Sequence, residues 1–457
     1  MTHPLKCSYP EGYEKKCLNA LETALKKVPA YHSWKSADIG GKNVFSRYKA
    51  LPLLDKALMN KYGPTGFVPE GLDLKKALAA GKVEIVKTSG STGDRVSNVW
   101  YQPWWDASER SSWKLNSSAA QVCTGSHREA ILASPLCVGF HRKDKYLSRE
   151  ERSLGRFLFL NERVNPVHWT ERHMSRMLSE LTEYRPVILE ANPSYLARLS
   201  RFINRNELKV YKPPLIIFTY ENPSILHQRQ IDKAFGVPMA SSYGSTETAY
   251  VFMQCECGKF HQNTEHCHVD FIPFSGKHGG PQTGAILVTT LANPWQSLLR
   301  FDIGDIVTLS SEACPCGRND GLTLDTIEGR AVNITTSSNG RAVTQAALDR
   351  AIADIEGIAE YQLIQTTPYN YSFYYVPEEN HIQKKLRVSL RKPLVASYGK
   401  KARFELLEVK GISPDPPGKY RLTKPLISIN PRNFLETSYQ PFPFTEKSKH
   451  PHYEFLS

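Results

Sequence analysis

Short apolar runs alternate with helical patterns through the middle of the chain. Three of the runs have the length and composition of buried strands: "EAILASPLCVGF" (129–140), "PVILEA" (186–191) and "PLIIFTY" (214–220). A segment with the apolar spacing of a helix follows the last of them, "SILHQRQIDKAFG" (224–236). Alternation of this kind is typical of an α/β fold whose layers surround a largely parallel sheet.

The pattern changes after about residue 284. "GAILVTTL" (284–291) alternates like a strand of a smaller, β-rich module, and "NYSFYYV" (370–376) predicts a strand of a compact α+β domain. We therefore expect a large N-terminal α/β domain, a smaller C-terminal α+β domain and a tail, over residues 1–329, 330–439 and 440–457 respectively.

The bulk composition is that of a folded chain without a membrane span. The 457 residues are 40% hydrophobic and 23% charged. No apolar run approaches the ~18 residues that a span requires, and the stretch "MTHPLKCSYPEGYEKK" lacks the apolar core of a signal peptide. These features predict a cytoplasmic protein with no membrane partner.

The formal net charge of +13 raises the question of nucleic-acid binding, because basic chains attract phosphate backbones. However, the Lys and Arg residues are scattered and form neither a dense block nor an aromatic-basic RNA signature. We expect no nucleic-acid partner. A zinc-stabilised nucleic-acid-binding protein remains the non-enzymatic alternative.

A loop rich in glycine and hydroxyl side chains, "KTSGSTGDRV" (87–96), directly follows the apolar run "VEIV" (83–86). Glycines let backbone N–H groups approach an anion and hydroxyls add donors, which favours a phosphate-binding loop. A flexible surface turn has the same composition. The spacing is not that of the standard nucleotide P-loop.

Four later stretches carry residue types that a reaction on ATP needs. They are "SSYGSTETAY" (241–250), "LRFDIGDIV" (299–307), "IEGRAVNIT" (327–335) and "PDPPGKYRLTK" (414–424). Such a reaction uses an aromatic face for adenine, carboxylates for ribose and Mg²⁺, and cations for the phosphates. Singly, the stretches also fit a helix N-cap turn, a β-turn and a surface lysine.

In this order and spacing the motifs resemble the core motifs of the acyl-adenylate-forming superfamily. The matching stretches are "TSGSTG", "YGSTE", "RFDIGD", "GR" and "GK". A closer resemblance to the phenylacetate–CoA ligase-like branch rests on "LPLLDK" (51–56), "TYENPS" (219–224) and "ACPCGR" (313–318). The resemblance spans about residues 45–425 and implies a large N-terminal AMP-binding domain with a mobile C-terminal lid.

The resemblance also implies which residues bind the nucleotide. The first loop would hold the β- and γ-phosphates of ATP through Thr88, Ser89, Gly90, Ser91, Thr92 and Gly93. Tyr243 would pack on adenine, in one turn with Gly244 and Ser245. Asp305 would accept hydrogen bonds from the ribose hydroxyls, with Arg330 helping from the hinge between the domains.

Three further residues would act on the reacting groups. By resemblance, Thr246 would contact the α-phosphate, Glu247 would bind Mg²⁺, and Lys419 would bridge the substrate carboxylate and the α-phosphate as pyrophosphate leaves. The implied reaction joins a carboxylic acid, aromatic by analogy with the branch, to AMP. Coenzyme A then takes the acyl group.

The hinge departs from the pattern of the relatives, which usually have Asp two residues after the hinge Arg. Here Val332 stands at that position, and Asn333 follows it. This departure puts the thioester-forming step in doubt and favours, as the alternative, transfer of the acyl group to an amine or another nitrogen nucleophile. A homodimer is the assembly left open.

Five of the nine cysteines cluster in one third of the chain, beside three histidines. They are Cys255, Cys257, Cys267, Cys314 and Cys316, with His261, His266 and His268. Thiolates and imidazoles are the ligands of structural zinc, although reduced free thiols fit the same pattern. Resemblance to the branch selects a zinc-binding insertion around 255–316 in which Cys255, His261, Cys314 and Cys316 hold the ion and Cys257 competes.

Overall fold

The computed structural model describes residues 7–88, 95–122, 124–138, 146–378, 383–416 and 418–436. The helices are α1 (Tyr13–Lys27), α2 (Val44–Ala50), α3 (Lys56–Tyr62), α4 (Leu74–Ala79), α5 (Gln102–Trp113), α6 (Glu171–Tyr184), α7 (Pro193–Arg205), α8 (Ile225–Phe235), α9 (Gln345–Ile352) and α10 (Gln383–Tyr398). None of the helices in these ranges is long and apolar enough to cross a membrane.

The strands begin with a hairpin and end in the C-terminal domain. They are β1 (Glu84–Lys87), β2 (Ser97–Trp100), β3 (Glu129–Leu132), β4 (Ser153–Leu154), β5 (Phe157–Phe159), β6 (Ile188–Ala191), β7 (Leu215–Phe218), β8 (Met239–Ser245), β9 (Ala249–Gln254), β10 (Phe260–Gln262), β11 (Cys267–Pro273), β12 (Thr283–Thr290), β13 (Phe301–Leu309), β14 (Thr323–Arg330), β15 (Thr335–Thr336), β16 (Ala342–Val343), β17 (Ile358–Gln365), β18 (Asn370–Pro377), β19 (Arg403–Glu408) and β20 (Thr423–Pro425).

One twelve-stranded sheet dominates the larger domain, in the order β11-β12-β13-β14-β10-β9-β8-β7-β6-β3-β5-β4. The α/β architecture is as predicted, but the prediction of a largely parallel sheet is wrong for half of it. Parallel pairing joins only β5, β3, β6, β7 and β8. The strands β11, β12 and β13 are antiparallel because their connections are too short for a parallel crossover, which needs a dozen or more residues.

Strands β12 and β13 belong to the main sheet and do not form the separate β-rich module that the sequence predicts. Their inner faces pack Val288, Phe301 and Val307 into the same core as Leu21 of α1. The change of pattern near residue 284 therefore marks the passage from the parallel to the antiparallel half of one sheet, and no domain boundary lies there.

Side-chain caps turn the chain sharply after the central parallel strands. Asn192 follows β6, and its Oδ1 accepts hydrogen bonds from the backbone N–H groups of Ser194 (2.9 Å) and Tyr195 (3.3 Å) at the start of α7. After β7, Ser224 caps α8 in the same way by accepting from the His227 N–H. These caps leave the residues at the strand ends facing one cleft.

The smaller domain is built on a four-stranded sheet in the order β19-β18-β17-β20. Helices α9 and α10 share its apolar core, in which Leu348, Phe373, Leu390 and Tyr398 are fully buried. The α+β class expected of this part of the chain is therefore present.

Charged contacts hold the smaller domain against α7 and α8 of the larger one. Glu360 of β17 accepts hydrogen bonds from Arg198 (2.8 Å to each oxygen) and from Arg201 (2.9 Å). Beside this cluster, Gln230 donates a hydrogen bond to the Ala359 carbonyl (3.0 Å). These contacts between the domains position the turn between β19 and β20 at the ends of the parallel strands.

Candidate active site

A cavity of about 360 Å³ lies between the ends of the central strands and the β19–β20 turn. This is the edge of an open α/β sheet at which ligands bind. All the predicted nucleotide-binding and catalytic residues of the described ranges line the cavity: Thr88, Tyr243, Gly244, Ser245, Thr246, Glu247, Asp305, Arg330 and Lys419. The remaining predicted residues of the phosphate loop, Ser89, Gly90, Ser91, Thr92 and Gly93, lie outside the described residues.

Tyr243, Asp305 and Arg330 form one hydrogen-bonded group on a wall of the cavity. The Tyr243 hydroxyl donates to Asp305 Oδ2 at 2.7 Å, and Arg330 Nε lies 3.1 Å from Asp305 Oδ1. Asp305 and Arg330 are paired across β13 and β14, which fixes their separation. The Asp305 carboxylate raises the pKa of the Arg330 guanidinium. The group thus presents an aromatic ring, a carboxylate and a permanent cation side by side.

The turn between β8 and β9 depends on Gly244. A Cβ atom at this position would lie 2.0 Å from the Ala249 carbonyl oxygen, so no other residue fits without moving the backbone. The turn is closed by a 3.0 Å hydrogen bond between the Ser245 and Thr248 hydroxyls. Thr246 and its neighbour Glu247 are held at the tip of this turn, facing the cavity.

Glu247 is a buried carboxylate, with 5% of its surface exposed. Its Oε1 lies 3.9 Å from the ammonium group of Lys56, which also lines the cavity. Lys56 begins α3, and Asp55 caps this helix by accepting from the Leu58 N–H at 2.9 Å. Sequence reasoning missed Lys56 as a site residue, although "LPLLDK" contributed to the resemblance.

Lys419 enters the cavity from a turn that other charged side chains brace. Asp415 accepts hydrogen bonds from Arg421 (2.5 Å) and Lys424 (2.7 Å), and its carbonyl accepts from the Lys419 N–H at 3.2 Å. Burial, with Arg330 nearby, lowers the pKa of the Lys419 ammonium. A desolvated cation interacts more strongly with a developing negative charge than one in water does.

The same turn makes close contact with the larger domain. Gly418 has a φ of +114°, and a Cβ there would lie 2.3 Å from the Ser134 side chain. The Tyr420 N–H donates a hydrogen bond to Glu221, whose carboxylate also accepts from Ser194 at 2.9 Å. Burial raises the pKa of Glu221 to about 7. Glu221 therefore anchors the lysine turn, a role that sequence reasoning did not give it.

The four residues selected for zinc come together away from the cavity. Their ligand atoms all lie within 4.8 Å of one another, with Cys255 Sγ 3.6 Å from Cys314 Sγ and Cys316 Sγ 3.2 Å from His261 Nε2. His261 lies on β10, and the cysteines lie in the loops that flank it in space. Cys257 is exposed and is not in the cluster. Three thiols and one imidazole are a donor set that suits a closed tetrahedral zinc site.

The residues after Arg330 also reach the cavity. Val332 is 46% exposed, and Asn333 is 4% exposed. The Asn333 side-chain oxygen has no hydrogen-bond partner among the described residues. Neither residue supplies the carboxylate that the resemblance leads one to expect at this hinge.

Comparison with known sequences finds matches to most of the chain and, separately, to its smaller domain. Residues 335–425 match the family model described as the CapK C-terminal domain. Protein CapK of Staphylococcus aureus is 25% identical over 76% of this chain and 76% of its own length. A phenylacetate–coenzyme A ligase of Thermus thermophilus is 26% identical over 35% of this chain and 39% of its own length.

Solved structures with the same fold extend over nearly the whole chain. A 2-hydroxyisobutyryl-CoA ligase in the postadenylation state, in complex with 2-HIB-AMP, has a TM-score of 0.69 at 15% identity and covers 90% of this chain and 88% of its own. The same ligase in the thioesterification state has a TM-score of 0.52, at 15% identity, over 91% of this chain and 90% of its own. These solved structures show that the chain has the fold of this ligase, and the sequence relatives agree with the resemblance of its motifs to the phenylacetate–CoA ligase-like branch of the acyl-adenylate-forming superfamily.

Proposed function

We propose that this protein uses ATP to convert a carboxylic acid to an acyl-AMP, with release of pyrophosphate, and then transfers the acyl group to coenzyme A. The observation that carries the proposal is the convergence of Glu247, Asp305 and Lys419 on one cavity. They come from three separate parts of the sequence, and Lys419 comes from the smaller domain. A chance grouping of surface residues would not bring all three to one cavity.

The Tyr243–Asp305–Arg330 group suits the nucleoside of ATP. The Tyr243 ring offers a face for adenine, and ring stacking adds to the area that binding buries. Asp305 uses one lone pair of each oxygen toward Tyr243 and Arg330, so both oxygens can still accept a hydrogen bond from a ribose hydroxyl. Arg330 pairs with this carboxylate and would add positive charge beside the phosphates.

The remaining residues suit the reacting groups. A carboxylate oxygen of the substrate attacks the α-phosphorus, and the bond to the β-phosphate oxygen breaks. Glu247 would hold Mg²⁺, which neutralises phosphate charge when bound, and Thr246 would donate to the α-phosphate. Thr88, with the loop that follows it, would bind the departing pyrophosphate. Lys419 lies where it can stabilise the charge that builds up during the attack.

Transfer of the acyl-AMP to a nitrogen nucleophile is the second candidate. It is favoured by Val332, because an apolar, partly exposed residue stands where relatives carry the hinge carboxylate. In that reaction an amine attacks the carbonyl carbon, AMP leaves, and an amide forms. The aromatic rings of Trp105, Tyr220 and Tyr250 line the cavity in either case and support an aromatic acid.

Pyrophosphate release tests the proposal directly. We expect release that depends on an added aromatic acid, followed by an acyl-CoA thioester detectable by mass when coenzyme A is present. If acyl-AMP builds up while coenzyme A stays unused and an added amine is consumed, the acceptor is the amine and not coenzyme A. No acid-dependent release from any member of an aryl-acid panel would contradict the activity itself.

Asp305→Ala is expected to raise the KM for ATP by about tenfold, because a charge-assisted hydrogen bond to the ribose is lost. Steady-state pyrophosphate release at varied ATP checks this. The matched control is Asp354→Ala, which removes a fully exposed carboxylate of the smaller domain. A KM for ATP that is unchanged in a folded Asp305→Ala variant would remove this residue from the nucleotide site.

We also propose that Cys255, His261, Cys314 and Cys316 hold one structural zinc ion. The donor set and the short distances between its members support a closed site. Cys314 and Cys316 lie between β13 and β14, whereas Cys255 follows β9, so the ion would join two loops of the main sheet. Cys257 is the competing ligand and would need its exposed side chain to turn inward.

A further inference from the structure

Glu190 is a carboxylate on the cavity wall that the proposed chemistry does not use. It lies near the end of β6, in line with Ile217 of β7. Thr219 and Tyr220 donate hydrogen bonds to it at 3.0 and 2.8 Å, and both end on Oε1. No described residue donates a hydrogen bond to Oε2. One oxygen of this carboxyl therefore remains available to a ligand.

The charged residues around Glu190 do not neutralise the charge of its carboxylate. Neighbouring Glu129 is paired with Arg156 at 2.9 Å and contacts His127 at 3.0 Å, and Glu109 accepts a hydrogen bond from Tyr250 at 2.9 Å. No described cation forms a salt bridge with Glu190. Burial and then the charge of Glu129 raise the pKa of Glu190 to about 8. A ligand that donates a hydrogen bond to Oε2 favours the ionised form of this carboxyl, because hydrogen bonding to a carboxylate lowers its pKa.

Two hydroxyl groups elsewhere on the cavity wall are also unmatched. Ser241 and Ser242 of β8 line the cavity, and neither side-chain oxygen has a hydrogen-bond partner among the described residues. Ser241 is only 4% exposed. Buried polar groups are rarely left unpaired in a folded protein, so this part of the wall is built for a polar ligand.

Strand order separates Glu190 from the nucleotide side. Asp305 and Arg330 belong to β13 and β14, on one side of β8, whereas Glu190 belongs to β6, two strands away on the other side. Two strand spacings amount to about 10 Å. A small acid that reaches from the tip of the β8–β9 turn toward β6 would place its far end, opposite its own carboxylate, at Glu190.

We infer that the substrate is an aromatic acid that carries a hydrogen-bond donor, a hydroxyl or an amino group, at the end distant from its carboxylate, and that Glu190 Oε2 accepts this hydrogen bond. Trp105, Tyr220 and Tyr250 would enclose the ring. Glu190 is thus a specificity-determining residue. The inference rests on the proposed function, because it names the substrate class of the same site.

Matched acids and a matched pair of variants test it. The kcat/KM of acid-dependent pyrophosphate release is measured for para-hydroxy-, para-amino- and para-methylbenzoate, and for the corresponding meta acids, which differ in the donor and little in shape. We expect the wild-type protein to prefer a donor-bearing acid over its methyl analogue by 10- to 100-fold, because a site with buried polar groups rejects a ligand that leaves them unpaired. The hydroxy and amino arms show which donor is used.

Glu190→Leu is expected to reduce this preference to about twofold or less, and Glu190→Gln, which keeps an acceptor oxygen and a similar shape, to leave part of it. The control is Glu183→Leu, which removes a carboxylate of α6 paired with exposed Arg149. It should keep the wild-type preference.

The outcomes distinguish this inference from the proposed function. Methyl-substituted acids that are activated as well as their donor-bearing analogues by the wild-type protein would overturn the inference and leave acid activation standing. A preference that Glu190→Gln and Glu190→Leu both retain in full would also overturn it. Absence of release with every acid would contradict the proposed function.

Discussion

Replacing Lys419 by alanine is expected to lower the rate of acyl-AMP formation by about 10²–10³-fold, the loss typical of removing one preorganised group that stabilises transition-state charge. Lys419 is half-buried and lines the cavity, and its turn is braced by Asp415. No other lysine of the smaller domain lines the cavity within the described residues. Pyrophosphate release in the first turnover, at saturating ATP and acid, measures the effect on chemistry rather than on binding.

Two comparisons make this result specific. Lys410→Ala removes an exposed lysine of the same domain and should release pyrophosphate at the wild-type rate. When ready-made acyl-AMP is supplied to Lys419→Ala, transfer to the acceptor should suffer much less than adenylation does, because no pyrophosphate leaves in that step. Equal losses in both steps would point to a damaged fold. Adenylation by Lys419→Ala at the wild-type rate would show that the assigned role is wrong.

Cys314→Ser is expected to abolish zinc binding and to lower the free energy of unfolding by on the order of 5 kcal/mol, since loss of a metal belongs to the few single changes with effects this large. Cys314 is 5% exposed and lies 3.6 Å, sulfur to sulfur, from Cys255. Without the ion, the two buried donors Cys255 and His261 and the half-buried thiol of Cys316 would remain close together with no metal to join them. Metal analysis of protein purified without added zinc, together with thermal unfolding, measures both effects.

Cys257→Ser is the matched control, because Cys257 is exposed and lies outside the cluster. It should keep about one equivalent of zinc and the wild-type unfolding temperature. Loss of zinc from Cys257→Ser but not from Cys314→Ser would show that Cys257, and not Cys314, is the zinc ligand. Wild-type protein that contains no zinc and is fully folded would contradict the metal site.

Local sequence patterns were sufficient to predict the elements that border the cavity. Strands β6 and β7 and helix α8 lie where the apolar runs and the spacing of apolar residues put them. The pairing of the strands could not be predicted in the same way. For example, Phe260 of β10 is paired with Leu324 of β14, and no local pattern connects residues so far apart. Helix α10 was also missed, since Pro393 stands inside it and proline usually ends a helix.

The residues of the site also divide into those that the sequence predicts and those that it does not. Tyr243, Glu247 and Lys419 could be predicted because each belongs to a short motif that resembles those of a known superfamily. Lys56 and Glu190 could not, because a lysine after a helix cap and a glutamate within a strand are common features with no motif of their own. Only the folded chain places them against the same cavity.

The central claim is that a carboxylate oxygen of the substrate attacks the α-phosphorus of ATP. Carboxylate labelled with ¹⁸O tests this most directly, using the acid that gives the fastest pyrophosphate release and an excess of acceptor. Because the acceptor attacks the carbonyl carbon, the oxygen between carbon and phosphorus leaves with the nucleotide. We predict AMP that carries one ¹⁸O atom in its phosphate, in amounts equal to the acyl product. Unlabelled AMP, or ADP with labelled inorganic phosphate, would contradict the account.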